Sequence, residues 1–291
     1  MAEVTVELGA NRYGKSRVRV MKVTRGANGV HDLYEWNVQV LLQGDFLTAH
    51  TVGDNSKVLP TDTMKNTVYS RAKASSATSM EEFAKELVEF LLGRNPQVSA
   101  AEVTIEQALW KRVAVDGKPH PTTFMHGSAE VQTTAVSKAK GGAWSIVSGL
   151  NGLQVLKTTK SGFVGYIKDD LTTLPETTDR LFGTVVKAEW TYAREAMDFN
   201  AVRGKIRETL LKTFAEHDSL SVQQTLYQMG ADIIAATPEI DEIVFTLPNK
   251  HCLLVDLKRF GQENKNEIFV PTDEPHGTIM AQVKRCRAHG E

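Results

Sequence analysis

Apolar positions along this chain follow two different periods, and the switches between them mark out its elements. In LYEWNVQVLL, residues 33–42, Tyr34, Trp36, Val38, Val40 and Leu42 share one face of an extended chain, and Glu35, Asn37 and Gln39 share the other. That is the period of a half-buried strand. SRVRVMKV before it reads as a second strand, and Asn28-Gly29 between the two is a strong hairpin signal. The period then lengthens. LPTDTMKNTVYSRAK, residues 59–73, predicts a helix beginning near Thr61. SMEEFAKELVEFLLGRNP puts Phe83, Leu87, Phe90 and Leu91 at helical spacing, with Ser79 as N-cap and Gly93 and Pro96 as stop signals. Two strands follow, AEVTIEQALWKRVAV and TTFMHGSAEVQTTAV, joined through Asp116-Gly117. The first half therefore reads ββααββ.

The second half repeats the plan. WSIVSGLNGLQVLKTTKSGFVGYI supplies strand material, and RGKIRETLLKTFAEH predicts a helix. SVQQTLYQMGADIIAATPEIDEIVFTLP then echoes SMEEFAKELVEFLLGRNPQVSAAEVTIE. Val222, Leu226, Met229 and Ile233 recur at helical spacing, and Thr237-Pro238 stands where Asn95-Pro96 stood. Strands are expected over 243–247 and 252–257. The pattern predicts an α+β fold of two antiparallel ββααββ units, 1–140 and 141–291, with helices on one face of the sheet. Such units leave strand edges to be paired or covered, and joining subunits edge to edge would remove them. An oligomer is expected on that ground.

Composition narrows the function. The 291 residues carry a net charge of −1, so a broad phosphate-neutralising surface for nucleic acid is not expected. No apolar run approaches the ~20 residues of a membrane-spanning helix, and MAEVTVELGANRYGKSRVRV lacks the apolar centre of a signal peptide. Two cysteines, Cys252 and Cys286, make no disulfide framework, which suits a reducing compartment. CRAHGE is not a peroxisomal tripeptide address. A cytoplasmic protein without membrane or nucleic-acid partners is expected. The basic cluster Lys284, Arg285 and Arg287 reads as a solvated tail.

Motifs of borrowed chemistry are missing from the sequence. It has no G-x-x-x-x-G-K-[ST], no convincing G-x-G-x-x-G, no CxxC, HExxH, H-x-H or G-x-S-x-G. His120 and His126 have no third ligand in view, so no metal or nucleotide cofactor is expected. Two polar features remain, each with two readings. Thr61 or Asp62 could cap the helix they begin by accepting from its first N–H groups, or the same N–H groups could hold an anionic ligand edge. In LPNKH, residues 247–251, Asn249 and His251 share one side of a strand. They could be rim residues or a small polar pocket with a histidine proton carrier.

RYGKSRVRV, TDTMKNTVY, DGKPHP, GLQVLKTTKSGFVGYI, TTLPETTDR, LKTFAEHDSLSVQQTLYQM and LPNKH, in that order, resemble blocks of the urate oxidase (uricase) family. The resemblance runs from about residue 12 to about residue 280. It implies the T-fold, tandem ββααββ units closing into a homotetrameric barrel with a tunnel. It also implies a reaction: urate and O₂ become 5-hydroxyisourate and H₂O₂ with no metal or organic cofactor.

Roles then follow by matching position. Lys15 in RYGKS matches the family's catalytic lysine, Thr61 the threonine paired with it, and His251 the third member of the proton relay. Asp62 matches the residue whose backbone N–H meets a purine nitrogen. Phe163 in SGFVGY matches the ring that stacks on the purine. Arg180 in TTDR and Gln223 in SVQQT match the clamp on its edges, with Val222 as a backbone contact. Asn249, with the threonine, matches the holder of O₂ or water. These types suit a flat anion rimmed by donors and acceptors. Arg180 offers a planar fork, Gln223 a donor–acceptor pair and Phe163 a stacking face. A lysine works as a base when desolvation or a nearby cation favours its neutral form. By resemblance, Lys15, Thr61 and Asp62 come from one subunit, and the clamp, ring and histidine from its neighbour. Without the resemblance each residue has a plainer reading. Lys15 would be a solvated charge, Phe163 core, Arg180 a surface ion-pair partner of Asp179 or Glu176, and Gln223 a cap. Two other functions stand beside urate oxidation: a urate- or purine-binding protein without turnover, and a metal-dependent T-fold enzyme of the pterin or GTP cyclohydrolase kind.

Overall fold

The computed structural model of the chain describes residues 5–286. They fall into two units, Met1–Ser148 and Gly149–Glu291. The first unit runs β1 (Tyr13–Arg25), β2 (His31–Gly44), a short α1 (Leu47–Thr51), α2 (Thr61–Ala74), α3 (Met80–Arg94), β3 (Val98–Val115) and β4 (Lys118–Ala139). Its strands pair antiparallel in the order β1-β2-β3-β4. At the first hairpin Gly29 takes φ 78°, the left-handed conformation that the Asn-Gly turn needs. At the Asp116-Gly117 turn both residues have positive φ, 52° and 75°, the type I′ signature.

Alternation along β2 builds the core. Trp36, Val38, Val40 and Leu42 are buried, Val38 opposes Ile105, and Val103 opposes Val136. The Trp36 ring stacks on Phe83 of α3 at 4.9 Å and 17°, and its indole N–H donates to Gln107 at 2.7 Å. Leu87 and Leu91 join Phe83 in the core. Phe90 instead sits half-buried between the guanidinium groups of Arg71 and Arg94, at 5.0 and 5.4 Å. Ser79 caps α3 as expected, in a reciprocal pair with Glu82.

The second unit contains most of β5 (Trp144–Lys157), then β6 (Phe182–Tyr192), α4 (Phe199–Glu216), α5 (Val222–Ala236), β7 (Ile240–Leu254), a single 3₁₀ turn (Lys258–Phe260) and β8 (Phe269–Lys284). Strand order is β5-β6-β7-β8, and the β6/β7 and β7/β8 pairs are antiparallel. Val222, Leu226, Met229 and Ile233 of α5 pack with Val186, Trp190, Ile243 and Phe245 in the unit's core.

Four expectations change here. Strand material does not continue through 167; β5 ends at Lys157, and 158–181 is a loop with isolated bridges only. Its polar run TTKSG, with Lys160 at φ 56°, explains the stop. The strand between this loop and α4 is β6, whose Val186, Ala188 and Trp190 alternate inward. Finally, 243–247 and 252–257 are not two strands. β7 is continuous through Pro248, which lies opposite Thr278, and its partner β8 begins only at Phe269. The basic cluster is also not wholly solvated. Arg285 donates to the carbonyls of Ile234, Thr237 and Ile240 at 2.6, 3.0 and 3.3 Å, closing the end of α5. Arg287 lies outside the described residues.

Candidate active site

In the first unit, a bulge aims Lys15. The β1/β2 register passes from Lys15 opposite Val40 to Val18 opposite Val38, so β1 carries one extra residue there. Arg17 takes φ 59° within it. Directly opposed residues share a face, so Lys15 joins Val18 and the buried Val40 on the helix-covered face. Without the extra residue, simple alternation would turn Lys15 outward. Tyr13, opposite Leu42 on the same face, shows where that face leads. Its hydroxyl accepts from the Leu59 N–H at 2.8 Å and donates to the Leu59 carbonyl at 3.1 Å, two residues before α2 begins. Burial pushes the Tyr13 phenol above its usual range, so it stays a donor. At Gly14 the two strands come so close that a Cβ would sit 1.8 Å from the Val40 carbonyl oxygen.

The start of α2 is not a side-chain cap. Its N-cap is Pro60, and no side chain accepts from the first turn. The Asp62 carboxylate turns along the helix to Lys65 and Asn66 instead. The hydrogen bond and then the charge of Lys65 hold it below the usual carboxylate range, with a smaller contribution from Lys15. The N–H groups of Thr61, Asp62 and Thr63 therefore lack both an intrahelical and a side-chain acceptor. Of the two readings of this stretch, capping is the one the geometry removes.

In the second unit, Phe163, Arg180, Asn249 and His251 line one pocket of about 370 Å³, with Leu174 and Phe269 on its wall. Asn249 and His251 continue the β7 face that buries Ile243, Phe245 and Leu247. The core face turns polar where its apolar cover ends. Phe163 and Arg180 are held by the loop. Phe163 exchanges backbone hydrogen bonds with Thr177 at 2.7 and 3.2 Å, and the Arg180 N–H donates to Ser161 at 2.8 Å. The Arg180 guanidinium carbon lies 5.3 Å from the centre of the Phe163 ring. The surface ion pair considered for Arg180 is absent among the described residues: Glu176 takes Lys168, and Asp179 accepts from Thr159. The Arg180 Nε is buried with no acceptor. Burial lowers the guanidinium from its ordinary value, and it stays charged.

The same loop reaches α5. Gly162 donates to the Ser219 carbonyl at 2.8 Å, and Ser219 donates to Lys160 at 2.9 Å. Ser221 caps the helix through the Gln224 N–H, and Gln224 accepts from Leu220. Gln223 is thus not the capping residue; it is exposed in the first turn beside the buried Val222.

The Uricase family model matches residues 11–137 and 146–280. The chain belongs to the uricase family. It is 46% identical to the uricase of Arthrobacter globiformis over 280 residues, 96% of this chain and 90% of that protein. It is 40% identical to the uricase of Aspergillus flavus, over 95% of this chain and 96% of that one. The crystal structure of the Arthrobacter globiformis uricase superposes with a TM-score of 0.92 at 43% identity, covering 99% of this chain and 98% of that one. A uricase from Bacillus fastidious gives a TM-score of 0.85 at 25% identity, covering 95% and 94%. Within this uricase fold, two features of the site had no reading in the sequence. The β1 bulge was hidden in GKSR, where Gly14 inside a strand was the available signal. The other is Tyr166, whose ring stacks on Phe163 at 4.8 Å and 14°.

Proposed function

We propose that this chain oxidises urate with O₂ and water to 5-hydroxyisourate and H₂O₂, unaided by a metal or organic cofactor. It acts as a homotetramer of tandem T-fold units, 1–140 and 141–291, closed into a barrel in the cytoplasm. Each active site joins two subunits. One brings Lys15, Thr61 and Asp62, and its neighbour brings Phe163, Arg180, Val222, Gln223, Asn249 and His251. The observation that carries the reading is the single pocket shared by an aromatic ring, a buried arginine, an asparagine and a histidine. Those are the groups a flat, acceptor-rich anion calls for.

The Arg180 guanidinium, whose Nε is buried without an acceptor, offers a planar fork of N–H donors to a urate carbonyl and the adjacent ring nitrogen. Gln223 takes the opposite lactam edge, beside the Val222 backbone. Phe163 stacks on the ring system. The free N–H of Asp62 meets a ring nitrogen at the helix start, where the partial positive charge favours the anion. Thr61 passes the second urate proton to Lys15, and the resulting dianion gives two electrons to O₂. Asn249 and Thr61 hold O₂ and then water above the ring. His251 carries a proton towards the peroxide, and the water oxygen becomes the hydroxyl of the product. The protein supplies position, charge and exclusion of solvent.

The test uses chelator-treated protein with urate in air-saturated buffer. Loss of urate absorbance, O₂ uptake and H₂O₂ should run one to one to one. Urate bound tightly but left unchanged would favour the non-catalytic binding protein, and turnover restored only by metal would favour the cyclohydrolase-like enzyme. Lys15→Ala and Thr61→Ala should mainly lower kcat; an equal loss of urate binding in both would contradict the division between relay and clamp.

A further inference from the structure

The loop that carries Phe163 is a second, irregular ladder. Segment 161–166 lies against 174–180, with Arg180 bonded to Ser161 and Phe163 to Thr177. The Gly165 N–H donates to the Glu176 carboxylate at 2.9 Å, and that carboxylate also pairs with Lys168 at 3.2 Å. Beyond this the tip is open: Ile167 is 93% and Leu171 88% exposed. The outermost tie on the ladder is Tyr166, whose hydroxyl donates to the Leu174 carbonyl. Gly165, at φ 74°, makes the turn that folds the Tyr166 ring back over Phe163.

Phe163 lines the pocket and Tyr166 does not. Tyr166 nevertheless lies nearly parallel to the Phe163 ring, at 4.8 Å and 14°. Tyr166 therefore backs the Phe163 ring from outside the pocket that Phe163 and Arg180 line. A phenylalanine on a loop has two free side-chain torsions, and stacking on a ligand is productive only when its plane is already set. Three contacts bear on it here: the backbone pair with Thr177, the Arg180 guanidinium 5.3 Å from the ring centre, and the Tyr166 ring.

We propose that Tyr166 is a positioning residue that fixes the plane of Phe163 for stacking on the planar substrate, with its hydroxyl tying that plane to the Leu174 side of the loop. This rests on the reading of Phe163 as the stacking ring. Tyr166 touches neither the substrate nor the proton relay. Its removal should therefore raise KM and leave kcat and the pH profile close to those of the parent.

The experiment compares Tyr166→Phe, Tyr166→Leu, Tyr166→Ala, Phe163→Ala and the double variant Tyr166→Ala/Phe163→Ala, all in the full-length assembled protein, with urate as the probe. Tyr166→Phe keeps the flat ring and should stay within about 2-fold of the parent KM, while Tyr166→Leu and Tyr166→Ala should raise it about 3- to 10-fold, the size of one aromatic contact. In the Phe163→Ala background, Tyr166→Ala should add nothing, because the ring it positions is gone. If Tyr166→Ala folds poorly, the contrast between Phe and Leu carries the test, since leucine fills volume without offering a plane. A parent-like KM in Tyr166→Leu overturns the proposal. So does equal damage from Phe and Leu, which would assign the effect to the hydroxyl alone, and so does a Tyr166→Ala effect that persists without Phe163. An unchanged KM in Phe163→Ala refutes instead the stacking role of Phe163, a failure distinct from the others.

Discussion

Gly14→Ala is the change that most directly tests how the first half of the site is built. Gly14 precedes Lys15 on β1 and lies opposite Leu41. A Cβ there would stand 1.8 Å from the Val40 carbonyl oxygen, 2.7 Å from the carbonyl carbon and 2.9 Å from the Leu41 Cα, whereas real Cβ contacts stop near 3.0 Å. All three atoms are backbone, so no side chain can swing aside. The methyl has to retreat by more than an ångström, and β1 must move with it or lose its ladder. Overpacking of this kind costs about 1–3 kcal/mol of stability. The catalytic effect should be larger. Lys15 is the next residue, and a displacement of about 1 Å in a reacting group costs on the order of 100-fold in rate. The expected result is a kcat near one hundredth of the parent, with urate binding less affected, because the clamp belongs to the other unit. Urate turnover followed by absorbance and H₂O₂ reads the rate, and thermal unfolding reads the stability. Gly93→Ala is the control: nothing lies within 4 Å of its Cβ position, so it should leave activity alone and stabilise α3 by up to about 1 kcal/mol. A Gly14→Ala protein with parental kcat and midpoint would show that the strands are not pressed together at this point, and the account of how Lys15 is aimed would fail with it.

Arg180→Ala should raise KM roughly 10- to 100-fold, the value of hydrogen bonds from a charged donor to a buried edge; titration with urate under anaerobic conditions checks it, and unchanged affinity would remove Arg180 from the clamp. Gly230→Ala should lower the thermal midpoint by several degrees, because its Cβ would meet Val283 at 2.5 and 2.8 Å and overpacking of about 1–3 kcal/mol outweighs the helix gain of about 1 kcal/mol; Val283→Ala in the same chain should recover part of the loss. Burial, and then the charge of Lys157, lower the His217 imidazole below its ordinary range. The unfolded chain therefore binds the proton more readily, so this contribution is complete above about pH 6.5 and fades as pH falls towards the folded-state value. Denaturant titrations of His217→Gln should show a flatter dependence of stability on pH below 6.5 than the parent.

Much of this was legible from periodicity alone. Trp36, Val38, Val40 and Leu42 are buried where alternation put them, and Val222, Leu226, Met229 and Ile233 where helical spacing put them. The failures have physical causes. Pro248 reads as a strand end, since proline cannot donate to a ladder, yet β7 runs through it. The TTKSG run follows an apolar stretch so closely that the apolar pattern carries past Lys157, although β5 ends there. The site divides along the same line. Phe163, Arg180 and Gln223 sit on a loop and a helix start, where no period operates, and only likeness to a family pointed to them. The face of Asn249 and His251 followed from counting by two.

Lys15 is the instructive case, because counting by two gives the wrong face. Residues 18 and 20 are buried, so parity alone sends residue 15 outward; one inserted residue at the bulge reverses that. The second unit reaches a similar end by letting the face of Ile243, Phe245 and Leu247 run on into Asn249 and His251, where the β7/β8 register shifts between those two residues. In both units the strand face that supplies buried core residues, Val18 and Val20 in β1 and Ile243, Phe245 and Leu247 in β7, also carries the proposed site residues near the strand end. The polar groups then sit beside packed apolar residues that hold their backbone still, which is the rigidity a proton relay and a clamp both need. A repeat of this kind can diversify its chemistry at the strand ends and helix starts without disturbing the alternation that folds it. The proposed site follows that division, with a lysine and a threonine in the first unit and an arginine, a glutamine and a histidine in the second.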